Sequence, residues 1–374
     1  MKRVGNCSIK LIFIFLIMFS FKFNQFFFGI FFSCSFEMKS IENYFRLCNN
    51  GKLMNKNKYK LHKFPKISII SPIYNREEFI RRFLRSVQNQ KFNDIEIIFI
   101  DDCSKDNSLK VIEKYQEKDQ RIILIKNKKN KGTLISRNIG ALNSRGEYLI
   151  FPDPDDIISK NIINFCYSLI RIYNFEMIRF NLFVGNDIFL KEIVEGLENK
   201  EVNQPELSTF LFYGKGKLLQ IDFNVSNKFI KRKAYIRALN YINEYYLNLY
   251  MITAEDGLIN YILYRTVKSF FFINKIGYYY ISNNKSISIS KLTEIKLKSI
   301  FYNLKLIFEY SKNNKHEKDM ANAYIYKFLI PKNNTQLKKI INDDCKFYNE
   351  IIKIYLDCEF ISTENKIKLK NIKC

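Results

Sequence analysis

Histidine occurs only twice in the chain, as His62 and His316, both outside the segments that read as core. Neither a histidine-built metal site nor a Ser-His or Cys-His nucleophile system is therefore expected, and acid-base work falls mainly to carboxylates. The eight cysteines, at 7, 34, 48, 103, 166, 345, 358 and 374, form no CxxC pair and no zinc spacing. In a chain of 374 residues they do not amount to a disulfide framework. No GxGxxG or GxxxxGK(S/T) loop follows the first strand-like run, which excludes a dinucleotide fingerprint and a P-loop.

Negative charge is also scarce: 37 acidic residues face 61 basic ones, for a net charge of +24. The lysines are scattered among asparagines and isoleucines, with no tight arginine patch and no RNA-binding aromatic motif, so nucleic acid is not an expected partner. The run KNKKNK, 126–131, reads as a solvated loop. A basic surface against anionic lipid is the preferred functional reading of the charge, because of the N-terminus. There Lys2, Arg3 and Lys10 precede an apolar run from Leu11 to Phe21, and a second run, Phe26 to Phe32, follows Lys22, Asn24 and Gln25. Together the runs are long enough to span a bilayer. Residues 1–36 are accordingly expected to be an uncleaved signal-anchor, making a single-pass membrane protein with its remainder in a secretory lumen (ER or Golgi). A cleaved signal peptide and a secreted protein form the alternative. Residues 37–63, polar and lysine-rich, suit a stem.

From residue 64 the pattern changes to alternation. KISIISP (66–72), IEIIFIDD (95–102), RIILIK (121–126) and EYLIF (147–151) read as buried strands. Between them NREEFIRRFLRSVQNQ, NSLKVIEKYQEK and TLISRNIGALNS read as helices, the first with Asn75 and Glu78 as a capping box and Phe79, Phe83, Leu84 and Val87 on its core face. Four strand-helix alternations with short connections predict an α/β fold with a mostly parallel sheet flanked by helices. Ligands of such sheets bind at the carboxyl ends of the strands, which here carry SPIYNRE, DDCSKD and DPDD.

The last of these is the most demanding. Asp153, Asp155 and Asp156 follow directly on an apolar strand, and carboxylates this close raise one another's pKa unless a cation sits among them. A turn is the plainer reading, with Asp156 or Ser159 capping a helix that starts near Ile157. The residues alone leave both open.

In order, the segments PKISIISPIYNREEFIRRFLRSVQNQ, IEIIFIDDCSKDNS, NKGTLISRNIGALNSRGEYLIFPDPDD, NKFIKRKAY, AEDGLINYIL and YYYISNNKSIS resemble family 2 of the nucleotide-sugar glycosyltransferases, which have the GT-A fold. The resemblance covers residues 64–290. It implies that Pro72, Tyr74, Asn75 and Glu77 line the base and ribose end of a nucleotide site, and that Asp102 accepts a hydrogen bond from the base. Arg137 faces the nucleotide or its phosphates, or pairs with the acidic cluster. Asp153 and Asp155 match the family's DxD, implying Asp155 as ligand of Mn2+ or Mg2+, Asp153 at the ribose or a bound water, and Asp156 as a second metal ligand. Asp256 in AEDG is implied as general base beside Glu255, with Asn227 and Lys228 on the acceptor side; helix surface is an equal reading for that last pair.

Cys103 stands where the family commonly has glycine, and Ile281 replaces the arginine of a YYYR run. Tryptophan is absent, so the QxxRW signature of processive synthases does not occur. The expectation is an inverting, metal-dependent, non-processive transferase moving a sugar, hexosyl or N-acetylhexosaminyl, from a nucleotide-sugar donor, most simply UDP-linked, to a glycan, protein or lipid hydroxyl. The alternatives are transfer to polyprenyl phosphate and a catalytically degenerate nucleotide- or sugar-binding protein. Residues 291–374 match nothing nameable and read as a helical extension, with apolar residues at helical spacing.

Overall fold

Isoleucine-rich runs of seven residues can bury both faces only inside a sheet covered on both sides, and they occupy that place here. The computed structural model describes residues 65–185, 224–242, 244–281 and 294–311, the short strands Lys52–Leu53, Leu190–Glu192 and Lys200–Asn203, and isolated helical positions 349, 353 and 356. The expected membrane segment, 1–36, and nearly all of the stem, 37–63, lie outside these residues. Among the described residues no helix is long and apolar enough to cross a membrane.

The described elements are, in order, β1 (Lys52–Leu53), β2 (Ile67–Ile73), α1 (Glu77–Gln88), β3 (Ile95–Asp101), α2 (Ser108–Gln116), β4 (Ile122–Lys126), α3 (Thr133–Asn143) and β5 (Tyr148–Ile150). Then come β6 (Ile157–Ile158), α4 (Ile162–Tyr173), β7 (Met177–Gly185), β8 (Leu190–Glu192), β9 (Lys200–Asn203), β10 (Lys228–Lys231), α5 (Arg232–Tyr241), α6 (Glu244–Leu247), α7 (Glu255–Thr266), β11 (Ser269–Ile281) and α8 (Glu294–Ser311). One sheet runs β1-β4-β3-β2-β5-β10-β7-β11-β6, with β8 on β7 and β9 on β11.

The expected parallel core is present as β4-β3-β2-β5, with Ile67 opposite both Ile95 and Tyr148. "Mostly parallel" does not extend to the whole sheet. β10 enters between β5 and β7 antiparallel to both, and the β11 pairings with β6 and β9 are antiparallel as well, so the sheet is mixed. In this second half strands and helices do not alternate regularly, so strand direction is not legible from the pattern.

Alternation across the sheet explains the two helical layers. Ile67, Ile69 and Ile73 join a core with Ile80, Phe83, Leu84 and Val87 of α1 and with Val111 and Ile112 of α2. On the opposite face α3 comes so close that a Cβ on Gly140 would lie 2.3 Å from the Ile70 side chain and 2.7 Å from that of Ile100. Glycine is needed for this approach.

Two local expectations are corrected. The N-cap residue of α1, Arg76, makes no side-chain capping bond, and Asn75, with φ 51°, turns its side chain to another loop. Ile80 rather than Phe79 completes the buried stripe. Nor does a helix start near Ile157: those residues form β6, and α4 begins at Ile162 after Asn161. α8, from the C-terminal extension, packs onto the domain with buried Ile300 and Leu306, and its Asn303 donates to the carbonyl of Ala254.

Candidate active site

The loops after β2 and β3 are built on one another. Asn75 Oδ1 accepts from the Lys105 amide at 2.8 Å, and its own amide donates to Ser104 Oγ at 3.1 Å. The Arg76 and Glu77 amides donate to Ser108 Oγ and Asp106 Oδ2, at 2.8 and 3.1 Å. Glu77 accepts in return from the backbone and side chain of Asn107. Glu77 therefore braces the loop, and neither it nor Pro72, buried within β2, is among the residues lining the cavity. Tyr74 and Asn75 do line it. Cys103 adopts φ 68°, the left-handed conformation that glycine enters without a Cβ penalty.

Asp102, buried at the end of β3, accepts from Asn127 Nδ2, from the Lys131 amide and from the Gly132 amide, each at 2.8 Å. Burial raises its pKa and these donors oppose that shift. The carboxylate thus organises the 127–132 loop while one edge still lines the cavity. The Ser136 side chain hydrogen-bonds the same carboxylate as well.

Arg137, on α3, is only 4% exposed and reaches three carboxylates. Its Nη2 donates to Asp153 at 2.7 Å, and its Nη1 to Glu255 at 3.1 Å and to Asp256. Arg137 is thus ion-paired with the acidic cluster, and it also lines the cavity. Its Nε, buried at the same site, has no hydrogen-bond partner among the described residues. Glu255 and Asp256 open α7, where the positive end of the helix favours acids. Asp256 Oδ2 also accepts from the Val225 amide at 3.2 Å. Burial pushes Glu255 up to about 7, helped by Asp256 and opposed by Arg137. Asp256 is raised by burial too, with Arg137 as the main opposing influence.

The DPDD loop divides its acids. Asp155 lines the cavity, with Arg76 Nε 3.8 Å away. Asp156 does not: it is buried, its Oδ2 accepts from the Tyr278 hydroxyl at 2.5 Å and its Oδ1 from the Ile281 amide at 2.9 Å. The Asp153 amide donates to the same Tyr278 oxygen at 3.0 Å. The expectation of Asp156 as a second metal ligand is corrected accordingly: its oxygens tie the loop to β11, and burial drives its pKa well upward. Among the described residues no group of three or more His, Cys, Asp or Glu is arranged to hold a metal. The carboxylates of Asp153 and Asp155 suit a hard divalent cation that takes the rest of its shell from phosphate oxygens and water.

These residues surround a cavity of about 620 Å³. Asn227 and Lys228, expected on its acceptor side, are fully buried instead. Asn227 donates to the Phe180 carbonyl at 2.9 Å, and Lys228 donates to the Asn224 carbonyl and to Asn227 Oδ1. Asn224 itself lines the cavity, as do Tyr250, Ile252, Thr253 and Tyr280, all passed over in the sequence. Only Tyr280, next to the YYYI departure, and Thr253, next to AEDG, carried a signal by position.

Residues 68–186 match the family model described as Glycosyl transferase family 2. Over that segment the chain is similar to glycosyl transferase family 2. Its relatives include an uncharacterized glycosyltransferase of Haemophilus influenzae, 40% identical over 97 residues, which are 26% of this chain and 39% of the relative. Glycosyltransferase GlyG of Streptococcus pneumoniae is 24% identical over 220 residues, covering 52% of this chain and 72% of that protein. The chain thus spans well under half of the Haemophilus relative. Among solved structures, S. aureus TarS 1-349 in complex with UDP-GlcNAc superposes with a TM-score of 0.59 at 19% identity, over 77% of this chain and 82% of that one. At that identity the likeness concerns the fold. The family 2 segment contains Tyr74, Asp102, Arg137, Asp153 and Asp155, whereas Tyr250, Glu255 and Asp256 come from beyond it.

Proposed function

We propose that this protein is an inverting, non-processive glycosyltransferase that moves a sugar from a nucleoside diphosphate donor to an acceptor hydroxyl. The observation that carries this reading is a single cavity bringing Asp102, Asp153, Asp155, Glu255 and Asp256 together from three parts of the chain. Asp102, one edge of which lines the cavity, receives an N–H of the base. Asp153 and Asp155 are the residues that would hold Mn2+ or Mg2+, which when bound offsets the charge gathering on the departing diphosphate.

Asp256 takes the proton of the acceptor hydroxyl, and the oxygen attacks the anomeric carbon from the face opposite the diphosphate. The new C–O bond forms as the bond to the diphosphate oxygen breaks, so configuration inverts. Arg137 keeps Asp256 oriented; burial raises the affinity of that carboxylate for the transferred proton, and Arg137 limits the rise. Glu255 preserves the placement of Arg137 from the adjacent position. The apolar N-terminal runs would tether the enzyme to a membrane, with its acceptor a glycan, protein or lipid.

UDP-GlcNAc, the compound in the TarS complex, is the first donor to test. Full-length protein with Mn2+ is expected to release UDP from a UDP-sugar, faster when an acceptor is supplied. Absence of binding and of release across a panel of nucleotide sugars would refute the proposal.

A further inference from the structure

Two large aromatic side chains line the cavity while remaining substantially exposed: Tyr74 at 38% and Tyr250 at 42%. Other exposed large side chains, such as Ile172 and Tyr173 on α4, are not part of its lining. An aromatic ring left open in a cavity holds a surface ready for a flat partner.

Tyr250 is held near the base end of the cavity by a short chain of contacts. The Gly132 amide donates to Asp102 Oδ2 at 2.8 Å, and the next amide, Thr133, donates to the carbonyl of Met251 at 3.1 Å. Gly132 has φ 84°, and a Cβ there would stand 2.7 Å from that same carbonyl, so the two loops touch backbone to backbone. Met251 is fully buried, and the Ile252 amide donates to Ser299 Oγ of α8 at 3.4 Å. The segment carrying Tyr250 is therefore fixed to Asp102 through one glycine and one buried neighbour. The Tyr250 phenol is pushed up by burial first, then by the Asp102 carboxylate and by Tyr74, which puts the three groups in one neighbourhood.

We infer that Tyr250 is a second base-binding residue, supplying an aromatic surface for the donor's nucleobase in addition to Tyr74. The inference rests on the nucleotide-donor reading above and adds a contact from outside the family 2 segment. A stacked ring recognises the π-face of a base and is indifferent to the diphosphate, so its contribution is separable from that of Asp153 and Asp155.

The test is calorimetric titration of the full chain with UDP and, separately, with inorganic pyrophosphate, both with Mn2+ present. Tyr250→Ala is expected to weaken UDP binding by about 5- to 100-fold, the range for loss of one base-aromatic contact, and to leave pyrophosphate binding unchanged. Tyr250→Phe should keep most of the affinity and Tyr250→Leu should not, which distinguishes a ring face from bulk. Because the side chain is exposed, the variants are expected to fold, and circular dichroism checks this. UDP affinity in folded Tyr250→Ala equal to the parent's, or an equal loss for pyrophosphate, overturns the inference alone. A parent that binds pyrophosphate and no nucleoside diphosphate any better overturns the donor reading, and this inference with it.

Discussion

Arg137 and Asp153 meet at 2.7 Å, so the guanidinium that reaches the acids of α7 also reaches the loop after β5. One side chain on α3 thus sets the spacing between the two halves of the cavity. Arg137→Met should leave Asp153, Glu255 and Asp256 without their shared cation and lower stability by about 3 kcal/mol, read from urea unfolding. Arg137→Lys should recover only part of this, because an ammonium lacks the planar fork that serves three acceptors. An unfolding midpoint unchanged in Arg137→Met would show that the network contributes nothing net.

Asp256→Asn is expected to bind donor nearly as tightly as the parent and to lose transfer by roughly two to four orders of magnitude. Glu255→Gln should do less harm to the maximal rate. Near-normal transfer by Asp256→Asn at saturating donor, with loss confined to Glu255→Gln, would move the base one residue upstream.

The same pair governs pH dependence. Glu255, an acid of ordinary pKa 4.5, is pushed up to about 7 in the folded protein by burial, so the folded state binds its proton more tightly than the unfolded chain does. Its contribution to stability is full below about 4.5 and lost as pH rises through about 7. Thermal midpoints should therefore fall between pH 5 and pH 8, and Glu255→Gln should flatten that slope. An identical slope in the variant would assign the effect to other groups.

Asp155→Asn should abolish Mn2+-dependent enhancement of UDP binding without unfolding the protein, since a neutral amide is a poor ligand for a hard cation. Asp156→Asn should instead lower stability, because Asp156 joins the loop to Tyr278 and Ile281. Retained Mn2+ enhancement in folded Asp155→Asn would return the loop to a plain turn.

Cys103→Gly should raise stability by up to about 1 kcal/mol, since φ 68° strains any residue with a Cβ and suits glycine. Differential scanning calorimetry reads this directly, and a lower midpoint would mean that the Cys103 side chain contributes more by its contacts than its backbone loses.

The first half of the fold was legible because its strands are buried on both faces and its helices are amphipathic; hydrophobic period and strand order then place the loops. Four kinds of feature escaped that reading. Asn75 resembled a helix cap but serves Lys105, thirty residues away, and local motifs do not encode such partners. Asp156 and Asp155 are adjacent and chemically alike, yet only tertiary pairing with Tyr278 decides which is buried. Asn227 and Lys228 were placed at the acceptor side by resemblance, whereas β10 inserts between β5 and β7 and buries them. Tyr250 carried no motif, and its place follows from the contact of Met251 with the start of α3.

The consecutive amides of Gly132 and Thr133 end on acceptors from two distant segments, Asp102 and Met251. Neither proton can be given up to deuterated solvent unless a loop lifts away from the start of α3. This pair forms a built-in latch, and the rate at which its hydrogens wash out measures how often the donor end of the cavity opens.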